Sequence, residues 1–306
     1  MFKQLIPLFS LKQLYNLYFL FVVKRTFNAC LMDNSLTFHD IESDFEKQYA
    51  AQEMLCRNMI KLASSYPEFS SVKLVDKNGK QKVNDPITKD FYRSVDSWGV
   101  RQGFWRKSAY TSGSSGVSLK ITRSPGAFLN SQISFYRFFT QFGISRFDRN
   151  IYVGGARKAQ LSIIDRLKTW IWPRITGMHK FIATDMVTDE NFQEFIHFFE
   201  TVRPIYIHGF SSALLRIAHF IENEEIQLNW VPKLVHPNAE GISATQREVL
   251  QRVFKCPVAM VYGSAECHMA SECAHGTMHL NMRSCDIKIN SDGLAVLTAF
   301  DSDVMP

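Results

Sequence analysis

The sequence is poor in several features that mark specialised classes of protein. Its six cysteines are too few and too unevenly spaced for a disulfide framework in 306 residues, so we expect a reducing, cytoplasmic environment. The 35 lysines and arginines form no run of five or more, which argues against a nucleic-acid-binding arm. Internal repeats and low-complexity segments are also lacking, which argues against a solenoid and against flexible linkers.

A long apolar run is lacking as well, although the N-terminal segment comes nearest to one. The uncharged stretch from Leu14 to Val23 is too short to span a bilayer. Lys24 and Arg25 follow it at once, without the small residues of a signal-peptide cleavage site. We expect an amphipathic helix that packs on the protein, with loose contact to a membrane surface as the alternative.

What the chain does contain is ample apolar and aromatic content, 46% and 13% of its residues, which suffices for a normal core. Apolar residues recur at helical spacing between Ser35 and Tyr66, and the polar stretch Lys73–Asp90 indicates an exposed loop. We therefore predict a helical segment with an exposed loop over residues 1–100, packed on a main domain over residues 101–306.

In the main domain, short apolar runs alternate with longer helical ones, which is typical of parallel βαβ units. The predicted strands are Asn150–Val153, Pro204–His208, Lys233–Pro237 and Val258–Tyr262, and the predicted helices are Leu129–Phe142, Asp189–Thr201, Ser211–Glu225 and Thr245–Phe254. A β-rich part follows from Met278 to Phe300. The fold class is therefore α/β, with mostly parallel sheets flanked by helices, and we expect ligands at the carboxyl ends of the strands.

Residues 110–120, Tyr-Thr-Ser-Gly-Ser-Ser-Gly-Val-Ser-Leu-Lys, form the first motif with a chemical implication. Glycines let backbone N–H groups turn inward, hydroxyls add donors and the lysine adds a positive charge, a combination that suits phosphate oxygens. The loop is not a Walker A loop, because no Gly-Lys-Ser/Thr follows its glycines. On its own, such a loop is also compatible with a plain surface turn.

The second motif ends a predicted buried strand with Tyr262 and Gly263 and places Glu266 three residues later. The tyrosine ring can stack on a purine, the glycine permits close approach of a ligand, and the carboxylate can bind magnesium beside phosphate oxygens. A simple junction of strand, turn and helix explains this pattern equally well.

The third motif is a tight turn after a predicted strand, formed by Asn238, Ala239 and Glu240. Together, and in their order along the chain, the three motifs resemble the core motifs of the adenylate-forming (AMP-binding) superfamily. The resemblance is strongest to the branch of phenylacetate-CoA ligase, coenzyme F390 synthetase and CapK. Residues 208–215, His-Gly-Phe-Ser-Ser-Ala-Leu-Leu, and residues 272–279, Glu-Cys-Ala-His-Gly-Thr-Met-His, resemble further stretches of that branch. The likeness extends from about residue 45 to residue 306.

This resemblance implies ATP-dependent, magnesium-assisted activation of a carboxylic acid to an acyl-adenylate, followed in many relatives by transfer to coenzyme A. The residues that match the family's phosphate-binding motif are Thr111, Ser112, Gly113, Ser114, Ser115, Gly116 and Lys120, and those that match its adenine-binding motifs are Asn238, Ala239, Glu240, Tyr262 and Gly263. Lys120 and Glu266 would be catalytic, Glu266 as a magnesium ligand. Tyr152 would line the acyl pocket, with an ordinary aromatic core residue as the alternative.

Cysteines and histidines cluster after Glu266, which raises the question of zinc. Some members of this branch carry a structural metal near here, and Cys273 and His279 match that pattern best. The spacing is not the paired Cys-x-x-Cys of a zinc finger or ribbon, so packed or exposed residues without a metal are the alternative.

The chain departs from the family at its end, because it stops before the Thr-Gly-Asp motif, the hinge and the small C-terminal lid domain of relatives. We expect weak nucleotide binding and slow adenylation without them. Two functions follow: a ligase domain, in polysaccharide or secondary metabolism by analogy with CapK, or a degenerate or truncated non-catalytic relative that serves as a nucleotide-binding or partner-binding module. The resemblance does not identify the acid that is activated. It also leaves the oligomeric state open, with a monomer and a homo-oligomer as the alternatives.

Overall fold

A computed structural model describes residues 45–64, 107–110, 120–123, 131, 134–135, 137–145, 148–155, 178–182, 185, 187–188, 190–264, 267–282 and 284–300. These residues belong to two compact units. The first contains those within 136–262 and 270–279, and the second contains those up to residue 135, within 263–269 and from residue 280 onward. The predicted boundary at residue 100 lies outside the described residues and stays a prediction.

The first unit is built on a parallel sheet. Its strands are β3 (Asn150–Val153), β4 (Met178–Ile182), β5 (Tyr206–Phe210) and β6 (Leu234–Asn238), arranged in the order β4-β3-β5-β6. All three pairings are parallel, and Val258 adds an isolated parallel bridge to Val235 on the far side of β6. The predicted α/β class with a parallel sheet is confirmed.

In the part of the chain that the structure describes, three helices connect and cover this sheet, in agreement with its parallel pairing. They are α2 (Phe192–Val202), α3 (Ser211–Asn223) and α4 (Ala244–Phe254). In α2 the buried side chains are Phe192, Phe195, Ile196 and Phe199, which recur every three or four residues and therefore share one face. That face packs into a core shared with alternate strand residues such as Ile151, Ile207 and Val235.

The opposite face of the same sheet is covered as well. Tyr206 and Leu234, partners in adjacent strands, pack with Phe138 and Ile144 in a second apolar cluster. Residues 137–140 are helical, so the sheet carries helical cover on both faces. Burial on both faces agrees with the burial of nearly every residue in β3, β5 and β6.

The remaining elements within the described residues are one helix and several short strands. The second unit contains α1 (Phe45–Ser64), the antiparallel pair β1 (Lys107–Tyr110) and β2 (Lys120–Arg123), and the antiparallel pair β10 (Cys285–Ile289) and β11 (Ala295–Ala299). Between these pairs along the chain, β7 (Val261–Gly263), β8 (His268–Glu272) and β9 (Met278–Leu280) form a sheet in the order β7-β8-β9. The predicted β-rich C-terminal part is thus confirmed. Among the described residues, no helix has the length and apolarity needed to cross a membrane.

Candidate active site

The carboxyl ends of neighbouring strands in the first unit meet at one edge of its sheet. Strand β6 ends at Asn238, and the next parallel segment, bridged to β6 at Val258, continues to Tyr262 in β7. Because the two segments run side by side in the same direction, the turn 238–240 and Tyr262 lie at the same edge. In open α/β sheets, this edge is where ligands bind.

The turn after β6 is fastened to the start of α3 through Glu240. Ser212 donates to the Glu240 carboxylate from its backbone N–H at 2.8 Å and from its hydroxyl at 3.2 Å. The Ser211 hydroxyl donates to the backbone carbonyl of Glu240 at 2.8 Å. Phe210, the residue before the helix, provides no side-chain cap. The carboxylate of Glu240, from a distant part of the chain, caps the helix instead. Glu240 therefore has a structural contact that the sequence did not reveal.

The backbone of this turn is also tight. Ala239 has a φ of +65°, a left-handed conformation uncommon in residues other than glycine. The chain then enters α4 through a capping box, in which the Ser243 side chain accepts from the Gln246 N–H and the Gln246 side chain accepts from the Ser243 N–H. Both ends of the predicted adenine-binding turn are thus fixed by helix caps.

Tyr262 is an exposed aromatic side chain at this edge. Its exposed fraction is 62%, and the following Gly263 is exposed too. An aromatic ring that is this exposed can stack on a planar ligand. The assignment of Asn238, Ala239, Glu240, Tyr262 and Gly263 to adenine remains a prediction.

A partly buried ion pair lies behind the segment that leads to Tyr262. The two terminal nitrogens of Arg247 in α4 donate to the two carboxylate oxygens of Glu272 at 3.1 and 2.8 Å. The same carboxylate accepts the backbone N–H of Met260 at 2.7 Å. Glu272 is 8% exposed. The sequence singled out Glu272 only as part of a resembling stretch and did not single out the contact with Arg247.

Tyr152, His208 and His236 form a polar row on one face of the sheet, one from each of β3, β5 and β6, in register. His236 is 1% exposed, and its Nδ1 donates to the Ala259 carbonyl at 2.9 Å. Burial lowers the pKa of His236 to about 4, although the hydrogen bond to Ala259 opposes this. Burial and the neighbouring His236 lower the pKa of His208 to about 3. Both rings are therefore neutral at physiological pH.

Tyr152, the predicted acyl-pocket residue, packs against His208 with ring centroids 5.0 Å apart. Burial raises the pKa of its hydroxyl. A Cβ placed on Gly154 would lie 2.6 Å from that hydroxyl, so the ring reaches over the glycine at the end of β3. Its contact with an acyl group stays a prediction.

The predicted phosphate-binding loop lies mostly outside the described residues, as do Thr111, Ser112, Gly113, Ser114, Ser115, Gly116 and the predicted magnesium ligand Glu266. The strands on either side are described: Tyr110 at the end of β1 pairs with Lys120 at the start of β2. Residues 111–119 therefore connect two antiparallel strands, and Lys120 stands at the base of the loop. The role of Lys120 in phosphate binding remains a prediction.

Cys273 and His279 are brought together by the turn between β8 and β9. The turn is closed by the Cys273 N–H donating to the Thr277 carbonyl and the Gly276 N–H donating to the Cys273 carbonyl, both at 2.9 Å. The pKa of the Cys273 thiol is lowered to about 7. The largest cause is a hydrogen bond from the backbone N–H of Thr277, followed by the backbone N–H of His275 and the His279 side chain. Two ligands do not make a structural zinc site, and the part of the chain that the structure describes has no group of three metal ligands. Zinc therefore stays a prediction.

Known proteins resemble this chain in sequence and in structure. No family model matches it. Protein CapK of Staphylococcus aureus is 25% identical over 175 residues, which are 56% of this chain and 38% of that protein. The chain thus spans well under half the length of this curated relative.

Among solved structures, 2-hydroxyisobutyryl-CoA ligase in complex with 2-HIB-AMP and CoA has a TM-score of 0.63 at 10% identity, covering 85% of this chain and 61% of the ligase. An open conformation of that ligase has a TM-score of 0.61 at 10% identity, covering 88% of this chain and 71% of the ligase. At this identity the likeness shows the fold. The chain has the adenylate-forming fold, and its resemblance to the CapK-like branch of the adenylate-forming superfamily is confirmed.

Proposed function

We propose that this protein binds ATP at the carboxyl edge of its parallel sheet and uses it to activate a carboxylic acid. The observation that carries the proposal is the exposed ring of Tyr262 beside the fixed turn 238–240, at the ligand edge of an adenylate-forming fold. A carboxylate oxygen of the acid would attack the α-phosphorus, and the bond to pyrophosphate would break with its electron pair leaving on pyrophosphate. The products would be an acyl-adenylate and pyrophosphate.

Each predicted site residue has a part in this scheme. Tyr262 would stack on adenine, with Asn238, Ala239, Glu240 and Gly263 around the base. The phosphates would be held by the loop residues Thr111, Ser112, Gly113, Ser114, Ser115 and Gly116 and by Lys120. Catalysis would consist of positioning and charge neutralisation, since no protein nucleophile is required. Magnesium, held by Glu266, would supply part of that neutralisation when bound.

Tyr152 would contact the acid, because it lies at the carboxyl end of β3 on the face that carries His208. A thiol such as coenzyme A would then accept the acyl group. By analogy with CapK, the activity would serve the making of a surface polysaccharide, with secondary metabolism as the alternative setting, and the small number of cysteines favours a cytoplasmic location. The protein would work alone or as a homo-oligomer on an acid and ATP, without nucleic acid.

Two measurements test this function. The first is calorimetric titration with ATP and magnesium, in which Tyr262→Ala is expected to weaken binding about tenfold through lost stacking. Leu294→Ala is the control, because Leu294 is equally exposed, at 63%, in the second unit. Lys120→Met is expected to weaken ATP binding as well, while Lys61→Met, at an exposed position of α1, leaves it unchanged.

The second measurement is ATP–pyrophosphate exchange with a panel of aryl and short-chain acids. Exchange with one acid or more supports the ligase function. Binding of ATP without exchange for any acid indicates the alternative, a non-catalytic nucleotide-binding module. Absence of ATP binding at millimolar nucleotide refutes both.

We further propose that Cys273 and His279 contribute to a structural zinc site. The His279 side chain is one of the groups that lower the pKa of the Cys273 thiol, and thiolate and imidazole are ordinary zinc ligands. Metal analysis of protein purified without chelator tests this, and zinc well below one atom per chain would refute it.

A further inference from the structure

Three consecutive residues just before β7 are held by side chains from three different elements. The Val258 carbonyl accepts from Arg247 of α4 at 2.6 Å. The Ala259 carbonyl accepts from His236 of β6 at 2.9 Å. The Met260 N–H donates to Glu272 of β8 at 2.7 Å.

Arg247 and Glu272 are the centre of this arrangement. Their paired fork geometry fixes both side chains relative to each other, and a charged hydrogen bond of this kind is stronger than a neutral one. The side chains are 27% and 10% exposed, so solvent screens them little. Glu272 also donates its backbone N–H to the Met260 carbonyl at 3.0 Å, so both polar backbone groups of Met260 are held by one residue.

Tyr262 follows two residues after Met260, the last of the three residues that these side chains hold. Its ring is 62% exposed and so has little packing of its own to fix its position. The direction in which its backbone leaves the sheet is then set by residues 258–260. A ligand that stacks on an aromatic ring binds more tightly when the ring is already ordered, because less freedom is lost on binding.

We propose that the Arg247–Glu272 ion pair is a positioning device for Tyr262, which orients the ring for an adenine base without touching the nucleotide. The inference rests on the proposed nucleotide binding. It adds two positioning residues to that site. Neither residue is catalytic.

The first test replaces Arg247 by lysine, which keeps the charge and loses the fork. We expect AMP to bind about tenfold more weakly, since most of the stacking would be lost, while inorganic pyrophosphate, which has no base, binds within twofold of the unsubstituted protein. Arg252→Lys is the matched control: Arg252 lies on the same helix and pairs with Glu222, but that pair is 59% and 37% exposed. It should change neither affinity.

The second test is a double-mutant cycle. If Arg247 acts through Tyr262, Tyr262→Ala should weaken AMP binding about tenfold in the unsubstituted protein and less than twofold in the Arg247→Lys background. Losses that simply multiply, or an unchanged AMP affinity in folded Arg247→Lys protein, overturn the inference. If Arg247→Lys does not fold, Glu272→Gln takes its place in the cycle, because it keeps the side-chain size and removes only the charge.

The results also distinguish a failure of this inference from a failure of the proposed function. If the unsubstituted protein binds neither AMP nor ATP, the proposed function fails and the positioning role fails with it. If the unsubstituted protein binds AMP and the substitutions leave its affinity unchanged, only the positioning role is wrong.

Discussion

Acidification should destabilise this fold through His236, and the size of the effect follows from its burial. The pKa of His236 is lowered from 6.5 to about 4 in the folded protein, so the unfolded chain binds more protons between these values. Stability is therefore complete above pH 6.5 and is lost as the pH falls toward about 4. The full difference corresponds to about 3 kcal/mol, and about 2 kcal/mol is lost by pH 5.

A loss of this size is a large share of the 5–15 kcal/mol typical of folded domains. The pKa of His208 is lowered in the same direction, but part of its side chain reaches solvent, so His236 sets the magnitude. His236→Gln removes the titration and keeps a donor for the Ala259 carbonyl. We expect this variant to lose about 2 kcal/mol less than the unsubstituted protein between pH 7 and pH 5.

Urea unfolding at several pH values measures this difference, because the linear extrapolation gives the free energy of unfolding at each pH. The control is His219→Gln, an exposed position on α3, which should keep the pH dependence of the unsubstituted protein. If His236→Gln and the unsubstituted protein lose stability in parallel, His236 is not held neutral by the fold, and the reasoning from burial is refuted.

Three further predictions concern local structure. Gly209→Ala should cost about 3 kcal/mol or prevent folding, because the new Cβ would collide with the backbone of β3; in thermal unfolding Gly241→Ala, whose Cβ would meet nothing within 4 Å, should change little. Ser243→Ala should lower the free energy of unfolding by about 1 kcal/mol in urea titrations, through the lost cap of α4, and an unchanged midpoint would contradict this. In zinc-free protein at neutral pH, iodoacetamide should modify Cys273, whose pKa is lowered to about 7, well before Cys256, whose pKa burial raises to about 12; peptide mass spectrometry gives the order.

The elements that sequence predicted well are those whose local signals agree with their packing. Strand β3 is found at its predicted residues, and α4 begins one residue before its predicted start. In α4, Ser243 is a strong cap and the apolar spacing is helical, so local preference and burial select the same bounds. Helix α3 begins at its predicted residue, Ser211.

Two strands that sequence analysis did not predict, β8 and β4, lack a clear local strand pattern. β8 (His268–Glu272) contains no β-branched residue, and its alternating burial comes from its place between β7 and β9. β4 (Met178–Ile182) contains a histidine and a lysine and is recognisable through its pairing with β3. Pairing of this kind depends on tertiary structure, which local patterns do not contain.

The same limit applies to the site. The sequence could identify Tyr262 and the turn 238–240, because motif and position after a strand are local signals. It could not identify the contact between Arg247 and Glu272, since residues 25 positions apart meet only through the fold. It also could not show that the Glu240 carboxylate binds the Ser212 N–H, 28 positions away.

The contact between Glu240 and Ser212 makes the Ser212 amide, at the start of α3, a natural probe of whether the turn 238–240 is closed. The Ser212 amide proton is protected from exchange with solvent deuterium only while the Glu240 carboxylate stays in place. Its exchange rate therefore follows the opening of the turn without any attached label. A nucleotide that draws Glu240 toward itself would accelerate this exchange, and one that settles against the closed turn would slow it.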